Sequence, residues 1–330
     1  MKLLTLLSII ILSYDPAPGQ FINTLPAVTD DPCISAQTAI DRGMMVCLGA
    51  AGGSLTATFT EPVANSHDYD ITIYGNAFEG SSEPGIVFVS KDVNHNGKAD
   101  DPWYEIAGSE YARTIHDYSI TYYRPASDTS DIRYTDSEGN TGHILRNTFH
   151  TQPYYPTWTT ADSLTFHGAL LPSNVTIEEN KASFASYSYG YADNLPNSDD
   201  EACSIKIDWA VDSLGNSAKL DTIHFIRIQT GVLFTDSRQT GEQSTEISAI
   251  NSIHQIDAVE NLTTSTDAPT ITTTEIIFPS PLQTQVRLYE LSGCLVKVIP
   301  CGTEQYSISD LPKNTIYLLR CADFTYKFLR

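Results

Sequence analysis

The chain of 330 residues carries 40 acidic against 19 basic side chains, a formal net charge of −21, and 41% hydrophobic residues. That length and apolar share sustain a large folded core, while the negative field excludes nucleic acid and anionic membrane surfaces and favours divalent cations. With 18 Tyr, 17 Pro and 19 Gly beside abundant Thr and Ser, the composition is that of an extracellular all-β protein.

The opening MKLLTLLSIIILS has one lysine and then an apolar run too short to span a bilayer, which fits the h-region of a signal peptide. Ala17-Pro18-Gly19 supplies small residues ahead of Gln20, so the leader is expected over 1–19 and the mature chain is expected to be exported. No cysteine lies at that point for a lipid anchor, and no later stretch is apolar enough for a membrane span. Of the six cysteines, Cys33 and Cys47 form the one local pair considered for a disulfide; buried thiols are expected otherwise.

From residue 20 to 258 helical periodicity is nearly absent apart from a short helix around SAQTAIDRG. Alternation replaces it: YDITIYG sets Tyr69, Ile71 and Ile73 on one face, and SIKIDWAV does the same with Ile205, Ile207, Trp209 and Val211. GIVFVS, SITYYR, SLTFHG and TIHFIRI read as further strands between Gly, Pro, Asn and Asp clusters. Short strands without crossover helices predict an all-β chain: a jelly-roll-like antiparallel β-sandwich, followed by a small C-terminal β-sandwich domain.

Within this body KDVNHNGKADDPWYE, residues 91–105, concentrates hard oxygen ligands. Asp92, Asn94 and Asn96 stand at positions one, three and five of the calcium-loop pattern, Gly97 at six, Lys98 at the carbonyl position seven and Asp100 at nine. Ca2+ takes six to eight oxygens, and odd-numbered positions of a tight loop converge on one point. Position twelve is Trp103 rather than Glu, which excludes an EF-hand; Asp101 or Glu105 would complete the site. Trp103, Tyr104, Tyr154, Tyr155, Trp158 and Tyr191 are the aromatic residues expected to face a glycan or other small ligand. Glu79, Glu83 and Glu110 could supply a glycosidase pair. The histidines form no HxH or HExxH pair and no GxSxG elbow is present, so a non-catalytic protein is the leading expectation.

Residues 259–275, VENLTTSTDAPTITTTE, read as a Thr-rich linker, and 276–330 as a compact unit of strands QVRLYEL, CLVKVIP, QYSISDL, TIYLLRC and TYKFLR. The order LYELSGCLVKVI, then YSISDLPKNTIYLL, then TYKFLR resembles the C-terminal sorting domain of type IX secretion substrates of Gram-negative bacteria. Asn314 stands where that family usually has glycine, a mild departure because asparagine tolerates left-handed geometry. The resemblance implies the type IX secretion machinery as partner and a secreted or cell-surface location.

The main body, from CLGAAGGSLTATFTEPV through TYYRP, FHTQPYYPTW, GYADN and IDWAVD to IQTGV, resembles a family of uncharacterised bacterial cell-surface proteins over most of residues 46–250. Members are often encoded beside outer-membrane uptake components, corrinoid (vitamin B12) systems included. The resemblance implies a surface-exposed β-sandwich that binds, and carries over no catalytic residue. The expectation is therefore a calcium-stabilised binding protein for a glycan or other small ligand, with a corrinoid-binding uptake protein and a glycoside-active enzyme as alternatives.

Overall fold

The computed structural model describes residues 9–19, 32–147, 152–178, 181–235, 241–253, 269–272, 274–282, 285–290, 295–313, 316–320 and 325–330. In chain order the elements of the main body are β1 (Ile9–Asp15), α1 (Pro32–Asp41), β2 (Val46–Cys47), β3 (Ser54–Ala64), β4 (Ile71–Tyr74), β5 (Gly85–Ser90) and β6 (Trp103–Ile106). There follow β7 (Ile115–Tyr123), β8 (Ile132–Asp136), β9 (Thr141–Ile144), β10 (Ser163–Leu170), β11 (Val175–Glu178) and β12 (Lys181–Phe184). The body ends with β13 (Ser204–Ile205), β14 (Ala210–Val211), β15 (Thr222–Thr230), β16 (Glu246–Ile247) and β17 (Ala249–Ser252). The expected short helix is α1, and the expected all-β, sandwich-like architecture is what the chain adopts.

The β-branched residues of β15 hold the centre of a six-stranded sheet in the order β1-β3-β15-β5-β6-β14. Ile226 and Ile228 point into the main core with Leu55 and Ala57 of β3 and Val87 and Val89 of β5. Their neighbours Arg227 and Gln229 take the opposite face, as the period of two requires. There Gln229 Nε2 donates to the Gly52 and His167 carbonyls at 3.2 and 2.9 Å, and its Oε1 accepts from Ala169 N at 3.1 Å. A buried amide thus joins the six-stranded sheet to β10, the edge of a second sheet ordered β10-β7-β8-β9. The second sheet packs its own core of Tyr118, Ile120, Tyr122, Ile132 and Ile144. Every strand pair in the described residues is antiparallel, which agrees with the absence of crossover helices.

One expectation about elements changes. SIKIDWAV is not one strand: β13 stops at Ile205, Ile207–Trp209 forms a 3-10 turn, and β14 resumes at Ala210. Buried Asp70 captures the Ile207 N–H with its Oδ2 at 2.7 Å, which withdraws that donor from a strand ladder. The apolar run read as leader contains β1, which pairs with β3 from Ile9↔Phe59 to Asp15↔Ser54. Ile9, Ile11 and Tyr14 are buried while Ile10 and Leu12 are exposed, so the run has a strand's alternation beneath its hydrophobicity. Ala17 follows under Gly49, which sits at φ +75° where a Cβ would strike the Ala17 carbonyl oxygen. The considered Cys33–Cys47 disulfide does not form, since Cys47 carries a thiol.

The chain divides into two compact units, Ile9–His254 and one that contains Gln255–Arg330. In the second, β18 (Thr270–Ile271), β19 (Glu275–Ile277), β20 (Val286–Glu290), β21 (Leu295–Ile299), β22 (Gln305–Ser307), β23 (Ile316–Arg320) and β24 (Thr325–Leu329) form two sheets. Their orders are β18-β19-β22 and β21-β20-β23-β24. Phe278, Leu288, Ile299, Leu319 and Phe328 are among its core residues. The Thr-rich stretch therefore ends in strand: Thr270 and Ile271 pair with Ile277 and Ile276. The part of the expected linker over 259–268 lies outside the described residues, as does Asn314.

Candidate functional site

The polar stretch 91–102 is the connection of the β5–β6 hairpin, whose last rung pairs Ser90 with Trp103. Asp92 is buried at its base, 7% exposed, and its Oδ1 and Oδ2 accept from Asn96 N (3.1 Å) and Gly97 N (2.9 Å). Burial pushes its carboxyl upward, but the N–H groups of Gly97, Asn96 and His95 and the imidazole of His224 outweigh that and hold it below the ordinary value. Asn94 Oδ1 accepts from Asn96 N at 3.0 Å, and Asn96 Oδ1 from Lys98 N at 2.8 Å, two successive Asx-turns. His95 at φ +57° and Gly97 at φ +71° make the reversals this requires.

The same fold turns the side chains on one another. The amides of Asn94 and Asn96 donate to Asp100 Oδ1 at 3.3 and 3.2 Å, and Asn96 Nδ2 also reaches Asp100 Oδ2 at 3.1 Å. Asp101 Oδ2 accepts from Val93 N at 3.2 Å, closing the loop on its own start. Asp92, Asn94, Asn96, Asp100 and Asp101 are thus drawn together by contacts of 2.9–3.3 Å. Glu105 is not: it lies on β6 opposite Phe88, and its Oε2 meets His116 Nδ1 at 3.0 Å. Burial raises the Glu105 carboxyl, against the pull of His116. As they stand, the Asn94 and Asn96 oxygens accept from backbone N–H groups while their amides face Asp100. Among the described residues, the group with three carboxylate oxygens within 4.8 Å of one another is Glu83, Asp193 and Glu246 rather than this loop.

The predicted aromatic residues separate into two groups. Tyr154, Tyr155 and Tyr191 are packing residues, 0%, 3% and 4% exposed, which corrects their reading as ligand platforms. Tyr154 and Tyr155 fill the core of the second sheet, where Arg146 and Arg124 lie over their rings and their hydroxyls bond Asn147 N and the Ala161 carbonyl. Tyr191 packs with Ile86 and Leu171, and its hydroxyl accepts from Glu110 N at 2.9 Å. Tyr104 is half-buried against the main core. Trp103 and Trp158 are half-buried; Trp158 lines a groove, and Trp103 meets that groove only through Arg227, which lies over its ring.

That groove, of about 400 Å³, opens where the face of β3 and β15 parts from β10. Ser54, Thr56 and Arg227 line one side, Leu164, Phe166 and His167 another, with Trp158 and Thr159 at the rim and Ser13–Pro16 as a further wall. Arg227 Nε donates to Thr56 Oγ1 at 3.1 Å, and its guanidinium carbon stands 4.3 Å from the centroid of the Trp103 ring. Burial presses its pKa below the ordinary arginine value, against the pull of Asp15, and it stays cationic. Sequence reasoning missed Arg227, although a cation between Ile226 and Ile228 in an apolar strand is a visible anomaly. A smaller hollow of about 320 Å³ lies beside Tyr69 and Tyr189. Tyr189 lies 4.9 Å from Trp209, itself 6.0 Å from Tyr69.

Of the carboxylates considered for catalysis, Glu110 pairs with Arg113 at 2.8 Å, and Glu83 turns inward to Asp193 and Glu246. Among the described residues no helix is long and apolar enough to cross a membrane.

No known family model matches the chain, and no curated protein matches it. Among solved structures, the adhesin domain of Epf from Streptococcus pyogenes is similar at 11% identity, covering 84% of this chain and 71% of that one, with a TM-score of 0.15. A likeness of that size bears on neither fold nor function. The chain is an all-β protein of antiparallel, sandwich-like sheets, on the evidence of its own strands.

Proposed function

We propose that this chain is a calcium-stabilised, non-catalytic binding protein of the cell surface or its surroundings, which takes a small glycan into the groove between β3, β15 and β10. The observation that carries the reading is the stack of Arg227 on Trp103. Trp103 is the first strand residue after the acidic loop, and Arg227 lines the groove that Trp158 rims. A cation held by Asp92, Asn94, Asn96, Asp100, Asp101 and the Lys98 carbonyl would fix the end of that loop, and with it the ring on which Arg227 rests. An indole, a guanidinium, hydroxyls and an imidazole around about 400 Å³ suit the apolar face and hydroxyls of a sugar. Export by the type IX machinery rests on the resemblance of the tail.

The test is a screen of glycans, with cobalamin as a separate arm read by visible absorbance, against wild type and Trp158→Ala in calcium and in EGTA. The expected result is glycan binding in calcium that Trp158→Ala removes. Cobalamin retention, or glycan turnover detected by product analysis, would replace this reading with the uptake or enzyme alternative. For export, deletion of 276–330 should leave the protein in the periplasm; its undiminished appearance at the surface would refute the sorting role.

A further inference from the structure

The segment Glu242-Gln243-Ser244-Thr245-Glu246 is polar throughout, yet every residue of it is buried. Its last member opens β16, pairing with Cys47 of β2. There Glu246 meets Asp193 and Glu83, with one ligand oxygen from each lying within 4.8 Å of the others. Backbone contacts fix two of the three. Asp193 Oδ1 accepts from Asn76 N and Ala77 N at 2.7 and 2.9 Å, its Oδ2 accepts from Glu246 N at 2.9 Å, and Glu83 Oε1 accepts from Ser244 N at 3.2 Å. Glu246 is different: it is 1% exposed, no backbone or amide N–H reaches its carboxylate oxygens, and its side-chain contacts are with the acids Glu83 and Asp193 themselves. An orphaned carboxylate in an apolar interior is among the costliest groups a fold can keep.

The charges around the three do not relieve them. The groups that act most strongly on Glu246 are Glu83, Cys47 and Asp193, and Glu242 also bears on Glu83. Burial drives Glu83 up to about 8 and Asp193 to about 6, and Glu246 well above its ordinary value. Such a cluster must take up protons or a cation. Asp193 is also held at φ +49°, a left-handed conformation that aims its carboxylate while Gly75 leaves room for it.

We propose that Glu83, Asp193 and Glu246 form a second, buried site for a hard divalent cation of the calcium class, separate from the 92–101 loop. Three hard carboxylate oxygens within 4.8 Å fit inside a calcium shell, whose opposite oxygens stand roughly 4.6–5.2 Å apart. Magnesium keeps several waters and an octahedron of about 4.2 Å across, for which this interior is a poor host. The ion would join the start of β5, the loop before β13 and the start of β16. Its role is to lock the fold from within.

The test counts metal by inductively coupled plasma mass spectrometry on the full chain, purified in calcium and desalted, for wild type, Glu246→Gln, Glu83→Gln and Asp92→Ala. Glu246→Gln should lose about one equivalent relative to wild type, whereas Asp92→Ala should keep that equivalent. If Glu246→Gln does not fold, Glu83→Gln gives the same count from a more exposed position, and Asp92→Ala decides alone if neither folds. A metal-free Asp92→Ala chain would overturn the proposal. So would a wild type without divalent metal, because the carboxylates would then hold protons only. Loss of metal from Asp92→Ala alone with Glu246→Gln unchanged assigns the ion to the loop and equally refutes the buried site.

Discussion

At the scale of single residues, the loop was readable because its chemistry is local. Asp92, Asn94 and Asn96 form successive Asx contacts within a few positions, and spacing alone encodes such turns. Tyrosine roles were not readable, because a tyrosine is equally suited to a wet rim or a core with one satisfied hydroxyl. Tyr191 and Trp158 sit in similar aromatic surroundings in the sequence, yet the first is enclosed by Ile86, Leu171 and Gly108 and the second rims the groove. Tyr191→Ala should therefore destabilise the protein by about 3–5 kcal/mol, whereas Trp158→Ala, at a half-buried position, should cost about 1 kcal/mol. Urea unfolding of the two variants checks this, and equal midpoints would contradict the division. Glu246 had no sequence signal at all, since only long-range folding brings it to Asp193 and Glu83.

At the scale of elements, period-two patterns located β5, β7, β10 and β15, where apolar alternation and a buried face coincide. They failed at Ile205–Val211, because Asp70, far away in sequence, captures a backbone donor. They failed again at β1, where the signal-peptide pattern and an edge strand share the same residues. Ile9, Ile11 and Tyr14 are buried on β3, at roughly 1.5–3 kcal/mol each. A chain that begins at Gln20 also leaves the β3 edge open and removes the Ser13–Pro16 wall of the groove. It should melt about 10 °C or more below a chain that keeps β1. Differential scanning calorimetry of the two lengths tests this, and indistinguishable curves would show that β1 adds nothing. An intact-mass measurement on the exported protein then tells which of the two is the mature form.

At the scale of the whole molecule, a net charge of −21 works against the compact state through self-repulsion, which individually stabilised carboxylates offset. Several are so stabilised: hydrogen bonds from Asn65 and His67 lower Asp208, the Asn216 N–H lowers Asp212, and Lys91 lowers Asp221. A carboxylate with a depressed folded pKa contributes stability that is present above its unfolded value, about 3.9, and is lost as pH falls through the folded value. The melting temperature should therefore drop as pH is lowered from about 4, with Asp212→Asn, which removes one of these groups, showing a shallower drop. A wild type that melts equally at both ends of that range would refute the assignment. The all-β class was open to sequence reasoning, since composition and turn residues report it. The groove was not, because its Arg227, Trp158 and Phe166 come together only when β15 and β10 meet.

The central claim couples the loop to the groove: a cation between Asp92 and Asp101 sets Trp103, and Trp103 sets Arg227. Isothermal titration calorimetry with the strongest glycan from the screen tests it directly, using wild type and Asp92→Ala, each in calcium and in EGTA. The account predicts about tenfold weaker binding by wild type in EGTA, a difference of about 1.4 kcal/mol, and the same weak affinity for Asp92→Ala in either condition. Equal affinity in all four titrations would contradict it.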